Sequence, residues 1–154
     1  MTKSEFGLTV EALNAAVEES FPSIYDMGLR CDTLGEGSAV VRWTFDDTRL
    51  RPGGYIPGPT IFSAADMALW FAAFTLIGVE PMAVTSEMSI RFLRPAQGAD
   101  LLARAVVNSS SARRIVGTIE LWVDGAPDRL VAVAQGTYAV PPQKSDVRRP
   151  TSDV

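Results

Sequence analysis

The spacing of apolar positions changes period partway along this chain. From Ile61 to Ile77 the sequence reads IFSAADMALWFAAFTLI, and Asp66 is its single charge. Apolar residues fall at nearly every azimuth, which predicts a helix wrapped by protein on most sides. Gly58-Pro59-Thr60 opens this segment and Gly78 closes it, placing Pro near the first turn and Gly just past the end. After Pro81 the period becomes two. Val84, Ser86, Met88, Ile90 and Phe92 alternate with Thr85, Glu87, Ser89 and Arg91, the pattern of a half-buried strand.

Three more strands are predicted at Leu101–Asn108, Arg114–Val123 and Leu130–Tyr138, with turns at Pro95–Gly98, Ser109–Ala112 and Asp124–Asp128. Nothing between them can serve as a crossover helix, so the four are expected to form an antiparallel meander. Upstream, Thr9–Ser20 reads as a short helix with Thr9 as N-cap, ended by Pro22. Ile24–Cys31 and Ser38–Phe45 read as two strands joined at Gly35-Glu36-Gly37. A polar, glycine-rich loop, Asp46–Pro57, leads into the apolar helix. The fold class is α+β, a six-stranded antiparallel sheet wrapped around one long apolar helix. Residues 1–140 are expected to form a single domain, and the polar, proline-bearing stretch 141–154 a disordered tail. One face of the helix would meet its own sheet and the rest, most simply, a second copy of the chain.

Composition narrows the chemistry. The chain has 154 residues, 47% apolar and 21% charged, which is ordinary for a globular domain. Asp66 cuts the apolar run short of the ~20 residues a bilayer span requires, so no membrane segment is expected. The acidic start of the chain lacks the apolar core of a signal peptide, and one cysteine, Cys31, permits no internal disulfide; a cytoplasmic location is the expectation. A net charge of −4 argues against nucleic acid as a partner. The chain has no histidine. That removes Ser-His-Asp and Cys-His nucleophile systems and nearly all zinc sites, so no metal is expected and carboxylates, hydroxyls and backbone dipoles must carry any hydrolysis.

Asp66 is the leading candidate, because an ionised carboxylate among apolar neighbours needs compensating partners or a function. Gly58 lies at the helix N-terminus, where free N–H groups favour an oxygen bearing developing negative charge. Eight residues separate the two, ~12 Å along one axis, so they do not face a single substrate atom. A second chain packed antiparallel would bring one subunit's Asp66 near the other's Gly58. Ser63, one turn before Asp66, lacks an evident base.

The segments Arg51–Asp66 (RPGGYIPGPTIFSAAD), Ala83–Ala96 (AVTSEMSIRFLRPA) and Ala132–Tyr138 (AVAQGTY) resemble the hotdog-fold acyl-CoA thioesterases of the phenylacetyl-CoA thioesterase type, over roughly residues 21–142. The resemblance implies that Asp66 is the catalytic carboxylate, which activates water or itself attacks the thioester carbonyl, that the Gly58 N–H polarises that carbonyl, and that Thr85 orients water. It implies a homodimer with shared sites, commonly paired into a tetramer, and coenzyme A as part of the substrate with no bound cofactor. Arg91, Arg94, Arg113 and Arg114 become candidates for the nucleotide phosphates. Arg51, Tyr55, Pro57, Ser63 and Trp70 are candidate substrate contacts. Two departures stand out. The family's usual His-Gly-Gly is here Pro57-Gly58-Pro59, and a frequent upstream Asn is here Arg51, which is able to pair with Asp66 or to bind substrate. These departures motivate the alternative of a non-catalytic acyl-CoA binder. A hotdog hydratase would need a histidine.

Overall fold

In the computed structural model, which describes residues 7–143, the helix α3 (Gly58–Ile77) is the axis on which the other elements are arranged. It is 20 residues long and apolar enough by composition to cross a bilayer, yet twelve of its residues are buried against the rest of the chain. From Ala64 to Thr75 every residue but Asp66 is buried. The protomer's own sheet curls far enough around α3 to do this, so the all-round apolarity does not by itself require a second chain. Five alanines in that stretch let the strands approach closely. Opposite Leu69 the sheet carries Gly117, where a Cβ would lie 2.5 Å from Leu69 Cδ1 and 2.7 Å from the Val106 carbonyl oxygen.

Six antiparallel strands make one sheet: β1 (Leu29–Gly35), β2 (Ser38–Trp43), β3 (Val84–Phe92), β4 (Leu101–Ser110), β5 (Arg114–Val123) and β6 (Ala132–Ala139), in the order β1-β2-β4-β5-β6-β3. The expected four-strand meander is therefore only partly present. β4, β5 and β6 follow one another, but β3 pairs with β6 at the far edge and not with β4. The segment 93–100 carries the chain back across β6 and β5, three strand spacings or ~14 Å, well within its ~26 Å extended reach. It is pinned on the way by Ile56 N–H bonding to the carbonyl of buried Ala96. Hydrophobic alternation identifies strands but not neighbours, and the crossover is set by where the chain returns over the helix.

The N-terminal region differs in one element. Thr9 caps α1 (Val10–Ser20) as expected, its Oγ1 accepting from Ala12 N–H. Pro22 does not simply end that helix; it occupies the first turn of a second, α2 (Pro22–Asp26), a position its fixed φ favours. Ile24 is thus helical, and β1 begins at Leu29, after Gly28 at φ 85°. Asn14 ties α1 to the strand by accepting from Cys31 N–H and donating to Cys31 O. Thr75, near the end of α3, accepts from Gly37 N–H and donates to Ala72 O, fixing the β1–β2 turn to the helix. Arg42 on β2 bonds Asp32, Asp100 and Asp124, tying three chain segments together at one surface point. Residues 144–154 of the expected tail lie outside the described residues.

β3 carries an irregularity that matters for the site. Thr85 pairs with Tyr138 and Glu87 with Thr137, so Ser86 is an extra residue opposite no partner, a β-bulge. Strict alternation would put Thr85 on the same face as Glu87. The bulge reverses the parity at Thr85 and turns it to the face that Met88 and Ile90 share, toward α3.

Candidate active site

Asp66 is half-buried on α3, and its carboxylate meets two hydroxyls from the sheet. Thr85 Oγ1 donates to Oδ1 at 2.8 Å and Tyr138 Oη donates to the same Oδ1 at 2.6 Å. Tyr138 Oη also lies 3.1 Å from the Asp66 carbonyl oxygen. Oδ2 accepts no hydrogen bond from the described residues. Burial, and then the Asp66 charge, push the Tyr138 phenol far above its ordinary range, so it remains a donor. The Thr85 hydroxyl expected to orient water is thus engaged, as donor, with the carboxylate itself.

Beside this carboxylate opens a mainly apolar cleft of about 270 Å³, lined by Phe21, Met67, Trp70, Ala83, Val84, Thr85 and Tyr138 among others. Trp70 is 6% exposed, and its Nε1 has no hydrogen-bond partner among the described residues; the Phe21 ring stands perpendicular to the indole at 6.4 Å. Ser63 is half-buried and lines neither this cleft nor the one at the other end of α3.

That second cleft, about 590 Å³, surrounds Gly58 and is lined by Arg51, Tyr55, Ile61, Phe92, Leu93 and Arg94 among others. The loop delivering Arg51 and Tyr55 is a tight turn in which Arg51 N–H bonds Tyr55 O and Gly54 N–H bonds Arg51 O. Pro57 occupies the N-cap position with no side-chain cap. Its carbonyl accepts from both Thr60 and Ile61 N–H, and Pro59 has no N–H to offer. Of the first turn, therefore, only the Gly58 N–H is left without a partner among the described residues. The prolines flanking Gly58 concentrate the donor capacity of the helix end on one atom.

Among the described residues the Asp66 carboxylate is bonded by Thr85 and Tyr138 and not by Arg51, which lies at the Gly58 end of the helix. The four arginines considered for phosphates are not gathered together. Arg94 lines the Gly58 cleft and donates to Leu130 O at 2.7 Å. Arg91 lines a separate depression on the sheet with Ser89, Thr118 and Gln135. Arg113 donates to Val140 O at 2.8 Å, and Arg114 begins β5 beside it. Arg91 pairs with Val133 and Arg114 with Ala139, six positions apart along β6, or ~20 Å.

Tyr138 was not among the residues singled out from sequence. A signal was there. In AVAQGTY the alternation places Ala132, Ala134, Gly136 and Tyr138 on the buried face, and a tyrosine turned inward brings a hydroxyl that needs a partner.

Comparison with known proteins agrees with this architecture. A family model described as the thioesterase superfamily matches residues 53–128. A presumed esterase of Saccharolobus solfataricus is 33% identical over 135 residues, covering 86% of each chain. The chain belongs to the thioesterase superfamily. The matched segment runs from the turn before Gly58 through α3 and β3, so it contains both helix-borne groups and Thr85. Among solved structures, a presumed thioesterase from Silicibacter sp. TM1040 superposes with a TM-score of 0.81 at 32% identity, covering 92% of this chain and 97% of that one. The Escherichia coli PaaI protein of the phenylacetic acid degradation operon gives a TM-score of 0.72 at 27% identity, covering 86% and 96%. The sheet and central helix of this superfamily member are those of the hotdog fold, and thioester hydrolysis in general is the activity its relatives' names support.

Proposed function

We propose that this protein hydrolyses acyl-CoA thioesters to the free acid and coenzyme A, at sites shared between two subunits. The observation that carries this reading is the state of Asp66: one oxygen held by two hydroxyls, the other open, at the rim of an apolar cleft. The Gly58 N–H stands unpartnered at the other end of the same helix. Each protomer thus carries two half-sites ~12 Å apart on α3.

A second chain supplies the missing half. β3 is an edge strand, paired with β6 on one side and open on the other, and Met82, Val84, Phe92 and Leu93 on or beside it are exposed. Such an edge invites pairing with another copy. An antiparallel partner across β3 sets the Asp66 cleft of one subunit against the Gly58 cleft of the other. A dimer is the minimum unit, and a tetramer an assembly of two.

In the chemistry that follows, the thioester carbonyl oxygen accepts from the Gly58 N–H. Asp66 takes a proton from water, the water oxygen bonds to the carbonyl carbon, and the oxyanion forms against that N–H. The C–S bond then breaks and the departing thiolate takes the proton back from Asp66. The acyl group lies against Trp70 and Met67, and Arg51 and Arg94 at the mouth of the Gly58 cleft are placed to meet anionic parts of the substrate.

The test is free-thiol release from a panel of aryl- and aliphatic-CoA esters, measured with a colorimetric thiol reagent for wild type and Asp66→Asn. Turnover in the variant is expected to fall at least ~100-fold with an unchanged circular dichroism spectrum. Turnover of any ester at the wild-type rate in Asp66→Asn would remove Asp66 from the mechanism.

A further inference from the structure

We propose that Tyr138 is a positioning residue for Asp66, acting with Thr85 to assign Oδ2 as the oxygen that reacts. This rests on the hydrolytic reading above and adds to it a residue and an atom.

A carboxylate on a helix is free to rotate about its terminal torsion, which exchanges its two oxygens. Here the exchange is opposed from the sheet. Tyr138 and Thr85 are direct cross-strand partners on β6 and β3, and both donate to Oδ1. Two donors converging on one oxygen fix the plane of the group and leave the lone pairs of Oδ2 as the ones available to water or to the thioester.

The arrangement is built from rigid parts. Tyr138 is 2% exposed, pairs with Ile115 on its other side, and is held on both edges of β6. Its second contact, to the Asp66 carbonyl oxygen, measures its phenol against the helix backbone as well as the carboxylate. Thr85, by contrast, sits on the exposed edge strand, beside the bulge. Tyr138 is therefore the fixed anchor of the pair.

Among the described residues of the protomer, no other ionisable side chain bonds this carboxylate. α3 carries no second charge. Glu87 and Arg91 of β3 line other depressions, and Tyr138 is the titratable residue that β6 presents.

The experiment compares kcat and KM for wild type, Asp66→Asn and Tyr138→Phe on the best ester of the panel. Phe keeps the ring and loses only the hydroxyl. We expect Tyr138→Phe to lower kcat at least tenfold with KM within twofold, at an oligomeric state and folded content equal to wild type. A kcat within twofold of wild type overturns the proposal and makes the contact a structural one. Should Tyr138→Phe fail to fold, 4-fluorophenylalanine at position 138 keeps nearly the shape of the tyrosine and replaces the hydroxyl by a fluorine that cannot donate. It is expected to lower kcat with KM unchanged, and an unchanged kcat again overturns the proposal. Release by wild type, loss in Asp66→Asn and full rate in Tyr138→Phe would defeat this inference alone. Absence of release from every ester by wild type would defeat the hydrolytic reading and this inference with it.

Discussion

Thr85 on β3 stands opposite Tyr138 on β6, and the two hydroxyls reach the same oxygen of Asp66 at 2.8 and 2.6 Å. Cross-strand partners lie close enough for their side chains to act on one target. The helix supplies the carboxylate and the sheet supplies its orientation, so the site is a product of how the two layers meet. The Ser86 bulge is what makes this meeting possible, because it turns Thr85 inward.

The oxyanion role of Gly58 is testable without disturbing the helix. Pro at the first helical position is well tolerated, and the Pro57 ψ of 146° suits a following proline. Gly58→Pro removes the N–H, at the cost of an added ring, and is expected to lower kcat by about 10²–10³-fold. Gly58→Ala keeps the N–H, and its Cβ would meet Phe92 at an ordinary 3.6 Å, so it should remain active. Equal loss in both variants would mean that space at Gly58, and not its N–H, is what matters.

Subunit sharing has its own test in the same variants. Gly58→Pro and Asp66→Asn homo-oligomers are each expected to be inactive. Co-refolded in equal amounts they should regain about a quarter of wild-type activity, because half the dimers are mixed and each mixed dimer has one intact site. No recovery, with mixed dimers demonstrated by mass spectrometry, would place both groups in one subunit.

Alkaline pH should weaken the fold in a way that Tyr138 partly controls. Its phenol is raised on folding, so the stability it contributes is full below the unfolded value of about 10 and is lost as pH climbs beyond it. Denaturant midpoints measured from pH 8 to 12 are expected to fall for wild type and to fall less steeply for Tyr138→Phe. Parallel curves would show that Tyr138 titrates alike in both states.

Cys31 should be inert in the folded protein. It is 4% exposed, and burial followed by the neighbouring Asp32 charge pushes its thiol up to about 12. Thiol reagent is expected to modify it only after denaturation, leaving thiol-release assays undisturbed. Rapid labelling of native protein would indicate that β1 opens away from α1.

Close approach of α3 to the sheet depends on Gly117. An added Cβ would stand 2.7 Å from the Val106 backbone oxygen, which cannot swing aside as a side chain could. Gly117→Ala is expected to cost about 1–3 kcal/mol, read as a lower midpoint in thermal unfolding. An unchanged midpoint would mean that β4 and β5 shift at little cost.

Much of this protein was legible along the chain because local periodicity reports burial directly. An apolar run with one charge gave α3 and Asp66, period-two segments gave the strands from β2 to β6, and Gly58 at the helix start was visible as a donor. Pro22 read as a helix end when it begins one, since a proline both follows a helix that has stopped and fits the first turn of a new one. Strand order was not legible: alternation tells a strand which face is wet, not which strand lies beside it, and β3 returns to β6 through long-range packing. The inward turn of Thr85 needed a bulge that breaks the alternation, and the junction of Thr85 and Tyr138, 53 positions apart, on one carboxylate oxygen needed the paired sheet to close over the helix. The sequence by itself determined which groups were available and which element carries each. Only the tertiary structure decided which of them touch, because contact between residues far apart in the chain is set by how layers pack, and no local pattern encodes that.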